Sequence, residues 1–240
     1  MPKRKGKRTI IFENKPSIAA SYAVVGKKEG EGPLASDFDE IHEDATLGLG
    51  SFEKAESELQ RRAVIGALDK GGITPDKIDC IFAGDLLNQC IGSSFGLLDL
   101  EIPFSGLYGA CSTMALSLIN AAVYVDGGAA KTAVAVTSSH FCSAERQYRF
   151  PLEYGSQRPQ SSQWTVTGSG SAVISSEGEV ELHSACLGKI CDLGVKDQNN
   201  MGAAMAPDDV KIRPYPTNEG MVFFYTQIYI KGGLFHHIKS

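Results

Sequence analysis

The stretch GACSTMALSLINAAVYVDGG places a cysteine, Cys111, between two small residues and a pair of hydroxyl residues, just before an apolar helical pattern. A helix N-terminus favours the thiolate form of a cysteine through its free N–H groups and its dipole, and the thiolate is the reactive form. Acyl transfer would also require a base and an oxyanion hole. Three interpretations of Cys111 are therefore open: a nucleophile, a residue that lines a ligand pocket, and a packing residue. We favour the pocket-lining interpretation.

A second polar segment, SSHFCSAERQYR, begins where another buried strand pattern ends. Guanidinium groups bind carboxylates through paired hydrogen bonds, and hydroxyl groups add further ones. Arg146 and Arg149 are three residues apart, so a helical turn would bring them to one side. Together with Ser139 and His140 they could bind a carboxylate ligand. The structural alternative is an ion pair between Glu145 and Arg146, with His140 as a satisfied cap.

The segment GDLLNQ offers Asp85 and Asn88 directly after a buried strand pattern. Both side chains could face the same edge of the sheet. The alternative is that Asp85 is the N-cap of the next helix. No resident metal site is predicted, because the six cysteines show no CxxC spacing, and their pattern indicates a reducing environment rather than a disulfide framework.

The elements that would position these residues alternate between short apolar strands and helices. The strands are predicted at residues 8–12, 78–84, 102–109 and 132–140, and the helices at 53–71, 88–98 and 111–125. A later pair, 165–176 and 179–190, is predicted to be antiparallel, and residues 13–50 to form a long surface excursion. This order predicts an α/β fold with a mainly parallel sheet, whose ligands bind at the carboxyl ends of the strands.

Composition narrows the function classes. The chain has 240 residues and a net charge of −5, which argues against nucleic acid as the main partner. Its one basic cluster, PKRKGKR at residues 2–8, is predicted to be a solvated arm, with contact to anionic lipid as the functional alternative. The apolar run behind it is too short for a signal peptide, and no run reaches the roughly 20 apolar residues of a membrane helix.

Seven segments resemble, in the same order, segments of the stage V sporulation protein AD family. They are GDLLNQ (84–89), IPF (102–104), GACST (109–113), VDGGAAK (125–131), SSHFCSAERQYRFPLEYG (138–155), VTGSG (166–170) and MGAAMAP (201–207). The pattern also resembles the N-terminal half of the thiolase fold, in which a nucleophilic cysteine begins a buried helix. The resemblance implies a mixed, mostly parallel sheet with helices on both faces.

The resemblance implies a non-catalytic protein that binds dipicolinic acid (pyridine-2,6-dicarboxylate), as the free acid or its calcium chelate, and assists its uptake into the developing spore. It further implies a peripheral position at the forespore inner membrane, beside integral membrane proteins of the dipicolinate channel, and a homodimer paired through a sheet edge. Asp85 could contact the calcium of the chelate, and no other cofactor is expected. The alternative function is a thiolase-like or ketoacyl-synthase-like acyltransferase with Cys111 as nucleophile. The predicted ligand-binding residues are Asp85, Asn88, Cys111, Ser112, Ser139, His140, Arg146 and Arg149.

The resemblance extends from about residue 8 to residue 207. We therefore predict a thiolase-like N-terminal domain over residues 1–207 and a divergent tail over residues 208–240. A thiolase fold has a second half of comparable size, which we expect to be missing here, as in a truncated or frame-shifted product. Without that half, the helix that follows Cys111 would expose part of its apolar surface.

Overall fold

The computed structural model describes residues 1–148, 165–188 and 227–231. The strands are β1 (Lys3–Lys5), β2 (Thr9–Ile11), β3 (Ser17–Gly26), β4 (Glu40–His42), β5 (Cys80–Gly84), β6 (Phe104–Gly106), β7 (Thr132–Ser139), β8 (Gly168–Ser175), β9 (Val180–Cys186) and β10 (Gln227–Lys231). The helices are α1 (Lys27–Gly30), α2 (Phe52–Gly71), α3 (Ile91–Gly96), α4 (Thr113–Asp126) and α5 (Phe141–Tyr148). Among these helices, none combines the length and the apolar character needed to cross a bilayer.

The strands form one mixed sheet in the order β1-β2-β9-β3-β8-β7-β5-β6, with β10 beside β9 and β4 beside β3. β5 is parallel to both β6 and β7, and β3 is parallel to β4. β8 is antiparallel to β7 and to β3, and β3 is antiparallel to β9. The mixed α/β class is confirmed, although the parallel pairs are fewer than the sequence pattern suggests.

β3 accounts for this difference. Its sequence, SIAASYAVVG, lies inside the stretch predicted to be a surface excursion, so that prediction is wrong for these residues. The strand also separates β8 from β9, which are therefore not the directly paired hairpin that was predicted. Small residues at its centre and burial on both faces remove the regular apolar–polar alternation that marks a half-buried strand.

α2 covers one face of the sheet, as its periodicity predicts. It begins after Ser51, whose side chain accepts a hydrogen bond from the Lys54 N–H at 3.2 Å. It ends at Gly72, where φ is 63°, a left-handed conformation that glycine adopts without strain. Leu59 and Ala63, one turn apart, are fully buried. They pack in a core with residues of the central strands, among them Val24, Val134 and Val136.

α4 covers the opposite face. Leu118, Ile119 and Ala122 pack there against Phe82 of β5 and Ala135 of β7 in a second core. The ring of Tyr124 meets the ring of Phe82 edge-on, with centroids 4.8 Å apart. Helices therefore lie on both faces, as the resemblance implies, and the two cores hold β5 and β7 between α2 and α4.

The N-terminal basic cluster is part of the sheet rather than a loose arm. β1 and β2 form an antiparallel hairpin with Lys3 opposite Ile11 and Lys5 opposite Thr9. β2 confirms the first predicted strand and pairs with β9. β10, which lies within the predicted tail, also pairs with β9. The division at residue 207 stays a prediction, since residues 189–226 lie outside the described ranges.

Candidate functional site

The loops that follow β5, β6 and β7 leave the sheet at the carboxyl ends of three parallel strands, and we call this region the rim. Of the six non-glycine residues with positive φ in the described ranges, three lie on these loops: Gln89 (59°), Cys90 (54°) and Ala110 (47°). Residues other than glycine rarely adopt a positive φ, and residues held in such strained conformations are concentrated at functional sites. The backbone therefore points to the rim, the same region that the topology predicts.

Asp85 follows β5 and is fully buried. Its Oδ1 accepts a hydrogen bond from the Leu87 N–H at 2.9 Å, and its Oδ2 accepts from the N–H and the hydroxyl of Ser93 at 2.7 and 2.6 Å. This carboxylate thus holds the loop against the first turn of α3. That role is similar to the predicted alternative in which Asp85 caps the next helix. Asn88 lies on the same loop and is exposed. Calcium contact by Asp85 stays a prediction.

Cys111 is exposed on a short 3-10 turn, Ala110–Ser112, directly before α4. Hydrogen bonds within the loop fix its path. The Ser112 hydroxyl donates to the Gly109 carbonyl at 2.7 Å, and the Thr113 hydroxyl donates to the Ala110 carbonyl at 2.7 Å while it accepts from the Gly109 N–H at 3.1 Å. The loop therefore holds Cys111 at the surface, at the N-terminus of a helix of fourteen residues.

The alternation of β7 sorts its last residues between the two faces of the sheet. Val134 and Val136 pack in the α2 core, which places Ser138 on the α2 side, and Ala133 and Ala135 pack in the α4 core, which places Ser139 on the α4 side. Ser139 thus shares a face with the start of α4 and the loop that carries Cys111 and Ser112. Its hydroxyl donates to the Val166 carbonyl at 2.6 Å and can still accept a hydrogen bond.

His140 lies on the other side of the sheet, against the start of α2. It is fully buried, and its ring centroid is 5.2 Å from that of Phe52. Nε2 lies 2.7 Å from the Ala45 carbonyl and Nδ1 accepts from the Cys142 N–H at 3.2 Å, a pattern that fits the neutral Nε2–H tautomer. Burial lowers the pKa of His140, which reinforces the neutral form. Both ring nitrogens are satisfied by the protein, so ligand contact by His140 stays a prediction.

Glu56 and Gln60, for which the sequence predicts no role, project from α2 into a buried polar network beneath the rim. The Gln60 amide donates to the Gly84 carbonyl at 3.0 Å and to the hydroxyls of Ser93 and Ser138 at 3.1 and 3.3 Å. The Glu56 carboxylate accepts from Ser138 at 3.2 Å and from a second hydroxyl, that of Ser143, at 2.6 Å. This network ties together the ends of β5 and β7.

A signal for these two residues exists in the sequence. Glu56 and Gln60 are four residues apart, on the side of α2 that also carries Leu59 and Ala63, so polar groups interrupt an otherwise apolar helical face. Burial raises the pKa of Glu56 from an ordinary 4.5 to about 7, partly opposed by the hydrogen bond from Ser143.

Two predicted ligand-binding residues cannot be placed against this geometry. Arg146 lies on α5, where the structure describes the backbone but not this side chain. Arg149 lies outside the described residues. The segment MGAAMAP (201–207) is outside them as well. Within the described ranges, no group of three or more His, Cys, Asp or Glu side chains is arranged to hold a metal ion.

Asp85→Asn tests the positioning role of this carboxylate. We expect the free energy of unfolding to fall by about 1–3 kcal/mol, because the amide has one acceptor oxygen and cannot accept from the Leu87 N–H and both Ser93 donors, so a buried donor loses its partner. Urea denaturation followed by circular dichroism measures the change. Asp99→Asn, at an exposed site in the short turn after α3, is the control and should stay within about 0.5 kcal/mol of the unmodified chain. Equal stability of the two variants would contradict the role.

A family model and a curated relative match most of the chain. The family model of Stage V sporulation protein AD (SpoVAD) matches residues 6–215. Stage V sporulation protein AD of Bacillus subtilis (strain 168) is 45% identical over 203 residues, which are 84% of this chain and 60% of that protein. The chain thus spans about three fifths of the length of this relative.

Solved structures with a similar fold have low sequence identity. A variant of OleA from Xanthomonas campestris, bound with cerulenin, matches with a TM-score of 0.52 and 13% identity, over 75% of this chain and 63% of OleA. The 3-oxoacyl-[acyl-carrier-protein] synthase III of Aquifex aeolicus VF5 matches with a TM-score of 0.48 and 15% identity, over 70% of this chain and 56% of the synthase. The fold is thiolase-like, and the family match over residues 6–215 shows that the chain belongs to the stage V sporulation protein AD family.

Proposed function

We propose that this sporulation protein binds pyridine-2,6-dicarboxylate, dipicolinic acid, at the α4 side of the rim without catalysing a reaction on it. The main supporting observation is the exposed position of Cys111 at the N-terminus of α4, on the same side of the sheet as Ser139. The first turn of a helix presents backbone N–H groups and a partial positive charge to an anion. One carboxylate of the ligand would be held there, with Ser112 and Ser139 as neighbouring hydrogen-bonding groups.

The second carboxylate requires a cation, and Arg146 and Arg149 are the proposed source. α5 begins two residues after the end of β7, and its first turn lies on the α2 side, where the Ser143 hydroxyl donates to Glu56. Arg146 and Arg149 would therefore have to reach past the ends of the strands to the α4 side of the rim. A guanidinium can bind a carboxylate with two parallel hydrogen bonds, which a lysine cannot do. The ligand could arrive as the free dianion or as its calcium chelate, and in the chelate calcium would come with the ligand.

The biological setting is part of the same proposal. The family resemblance suggests that the protein assists the uptake of dipicolinic acid into the forespore. It also suggests a peripheral position at the spore inner membrane, in contact with the integral membrane proteins of a dipicolinate channel. We also propose a homodimer through β6, which pairs with β5 alone among the described strands and carries the half-exposed Phe104. An open strand of this kind can pair with the same strand of a second copy.

One observation favours a second function, an acyltransferase with Cys111 as nucleophile. The thiol is exposed and follows the left-handed Ala110, as a strained nucleophile would. Against this, His140 is neutral, is satisfied at both nitrogens and lies on the opposite side of the sheet. Incubation with an acyl-coenzyme A followed by mass spectrometry separates the two functions. We expect no acyl adduct on Cys111, and an adduct without dicarboxylate binding would reverse the order of the two proposals.

Calorimetric titration with pyridine-2,6-dicarboxylate, with and without calcium, tests the binding role. Cys111→Glu should weaken binding at least about tenfold, because it adds a like charge beside a carboxylate site. Cys111→Ala should bind nearly as the unmodified chain, because the thiol lines the site without reacting. Ser94→Glu, at an exposed position on α3, controls for the added charge. Equal affinity of Cys111→Glu and Ser94→Glu would contradict the proposed site.

A further inference from the structure

The hairpin of β1 and β2 (residues 3–11), which we call the basic hairpin, concentrates positive charge on an otherwise acidic protein. Residues 3–8 contain five cations, Lys3, Arg4, Lys5, Lys7 and Arg8, and no acid, although the whole chain has a net charge of −5. All five side chains are exposed, and Lys3 forms an ion pair with Glu13. A charge distribution this uneven orients a protein toward an anionic surface, since the acidic remainder is repelled by it.

The basic hairpin is held in a fixed shape. The Arg4 guanidinium donates to the carbonyls of Gly6 and Lys7, both at 3.0 Å, and so closes the turn over itself. Gly6 adopts a φ of 65°, which the turn requires. Behind the turn, the Leu187 N–H donates to the Arg8 carbonyl at 3.0 Å and ties the hairpin to the chain after β9. The cations are therefore displayed on an ordered surface, so little conformational entropy is lost when they bind.

An exposed apolar side chain borders these cations. Leu187, which contacts the turn through its backbone, is 40% exposed. A cluster of cations beside an accessible leucine suits the boundary between lipid headgroups and acyl chains, where the charges meet phosphates and the leucine enters the apolar layer. Phosphates of RNA or DNA would satisfy the cations but not the leucine.

The position of the basic hairpin is compatible with a ligand site at the other end of the sheet. β3 and β7 are both antiparallel to β8, so they run in the same direction. β2 precedes β3 along β9, so the turn of the hairpin lies beyond the amino end of β3. The rim lies at the carboxyl ends of the parallel strands. The ten residues of β3, about 33 Å of extended chain, therefore separate the two regions.

We propose that the basic hairpin is a docking surface for anionic phospholipid, which seats the protein on a bilayer with its rim directed away from the lipid. This inference deepens the proposed function, because it rests on the peripheral membrane position and names the surface responsible for it. Each cation near an anionic bilayer contributes about fivefold to the partition coefficient. The interaction is electrostatic, so salt should weaken it as the Debye length falls from about 10 Å at 0.1 M to about 3 Å at 1 M.

Flotation of the full chain with phosphatidylcholine vesicles, with and without phosphatidylglycerol, tests the proposal. We expect binding only to the vesicles that contain phosphatidylglycerol. The triple variant Lys5→Gln, Lys7→Gln, Arg8→Gln should lose about a hundredfold in partitioning, while Arg4 is kept because it closes the turn. Circular dichroism and thermal melting establish that this variant is folded.

The control variant, Lys28→Gln, Lys54→Gln, Lys77→Gln, removes the same charge from exposed positions outside the hairpin and should partition within about threefold of the unmodified chain. Equal losses in both triple variants, or equal binding to neutral vesicles, would overturn the proposal. Stronger retention on RNA than on anionic vesicles at the same salt would overturn it too. The proposal would also be overturned if the hairpin variant aggregated but floated like the unmodified chain. In that case the cations would serve to protect a strand edge from pairing with other chains.

The same samples separate this inference from the proposed ligand. The hairpin variant should bind pyridine-2,6-dicarboxylate with the affinity of the unmodified chain, because its three substitutions lie at the opposite end of the sheet from the rim. Failure of the unmodified chain to bind the dicarboxylate would refute the proposed ligand while the vesicle result stands. Failure of the unmodified chain to float with anionic vesicles would refute the docking surface while the calorimetric result stands.

Discussion

Gly84→Ala should lower the free energy of unfolding by about 3 kcal/mol. A Cβ at this position would lie 2.2 Å from the Leu107 carbonyl oxygen and 2.4 Å from Cγ2 of Thr113. Neither contact can be relieved by a flexible side-chain end, since one atom is backbone and the other belongs to a buried β-branched residue. Relief would push the loop of Cys111 away from β5. Urea denaturation followed by circular dichroism measures the loss.

Gly170→Ala is the matched control for this change. Gly170 lies in β8 of the same sheet, and an added Cβ there would meet nothing within 4 Å. Its stability should change by no more than about 0.5 kcal/mol. If Gly84→Ala were as stable as Gly170→Ala, the close approach of β5 and the Cys111 loop would be wrong. Dicarboxylate binding should also weaken in Gly84→Ala alone, because only that substitution displaces the N-terminus of α4.

Glu56→Gln should stabilise the protein by about 3 kcal/mol at pH 8 and by almost nothing below pH 4.5. Burial raises the pKa of Glu56 from 4.5 to about 7, so the folded state binds a proton that the unfolded state has already released between these values. The contribution of Glu56 to stability is therefore complete below pH 4.5 and is lost as the pH rises to about 7. Glutamine keeps the shape and lacks the charge, so it removes this loss.

The measurement is the difference in unfolding free energy between Glu56→Gln and the unmodified chain across that pH range. His140 contributes in the opposite sense, because burial lowers its pKa and stability is lost as the pH falls below its ordinary 6.5. It is present in both proteins, so the difference isolates Glu56. The exposed Glu31→Gln is the control for the removal of one carboxylate from the chain. A difference for Glu56→Gln that does not change with pH would contradict a buried, neutral carboxyl.

Much of the fold is readable from local patterns. α2 is predicted by the repeat of Leu59 and Ala63 and by the glycine at its end, and β5 and β7 are predicted as continuous apolar runs between turn residues. These signals are local, so a single sequence contains them. β3 is different, because its neighbours β8 and β9 come more than a hundred residues later and its own pattern is irregular. Its place in the sheet depends on partners that local periodicity does not reveal.

The candidate site divides in the same way. Strand order predicts the rim, and the helix pattern predicts the position of Cys111, because both follow from the sequence of elements. The roles of Asp85 and His140 depend on which donors and acceptors surround them. The sequence does not specify these partners, so ligand contact and a capping role were both possible. Glu56 and Gln60 were missed because charged and amide side chains on a helix usually face water. Only the packing of α2 against β7 shows that these two do not.

The late arrival of the partners of β3 has a consequence for synthesis on the ribosome. This strand ends at residue 26, but β8, its partner over most of its length, begins at residue 168. Throughout that interval, one edge of this ten-residue strand lacks β8, and on the other edge Val24–Gly26 have their partner β4 while Ser17 and Ile18 still lack β9. Nascent chains halted before residue 168 should therefore be prone to aggregate and to recruit chaperones, and the completed chain should fold slowly, because closing such long loops costs entropy before any contact compensates for it.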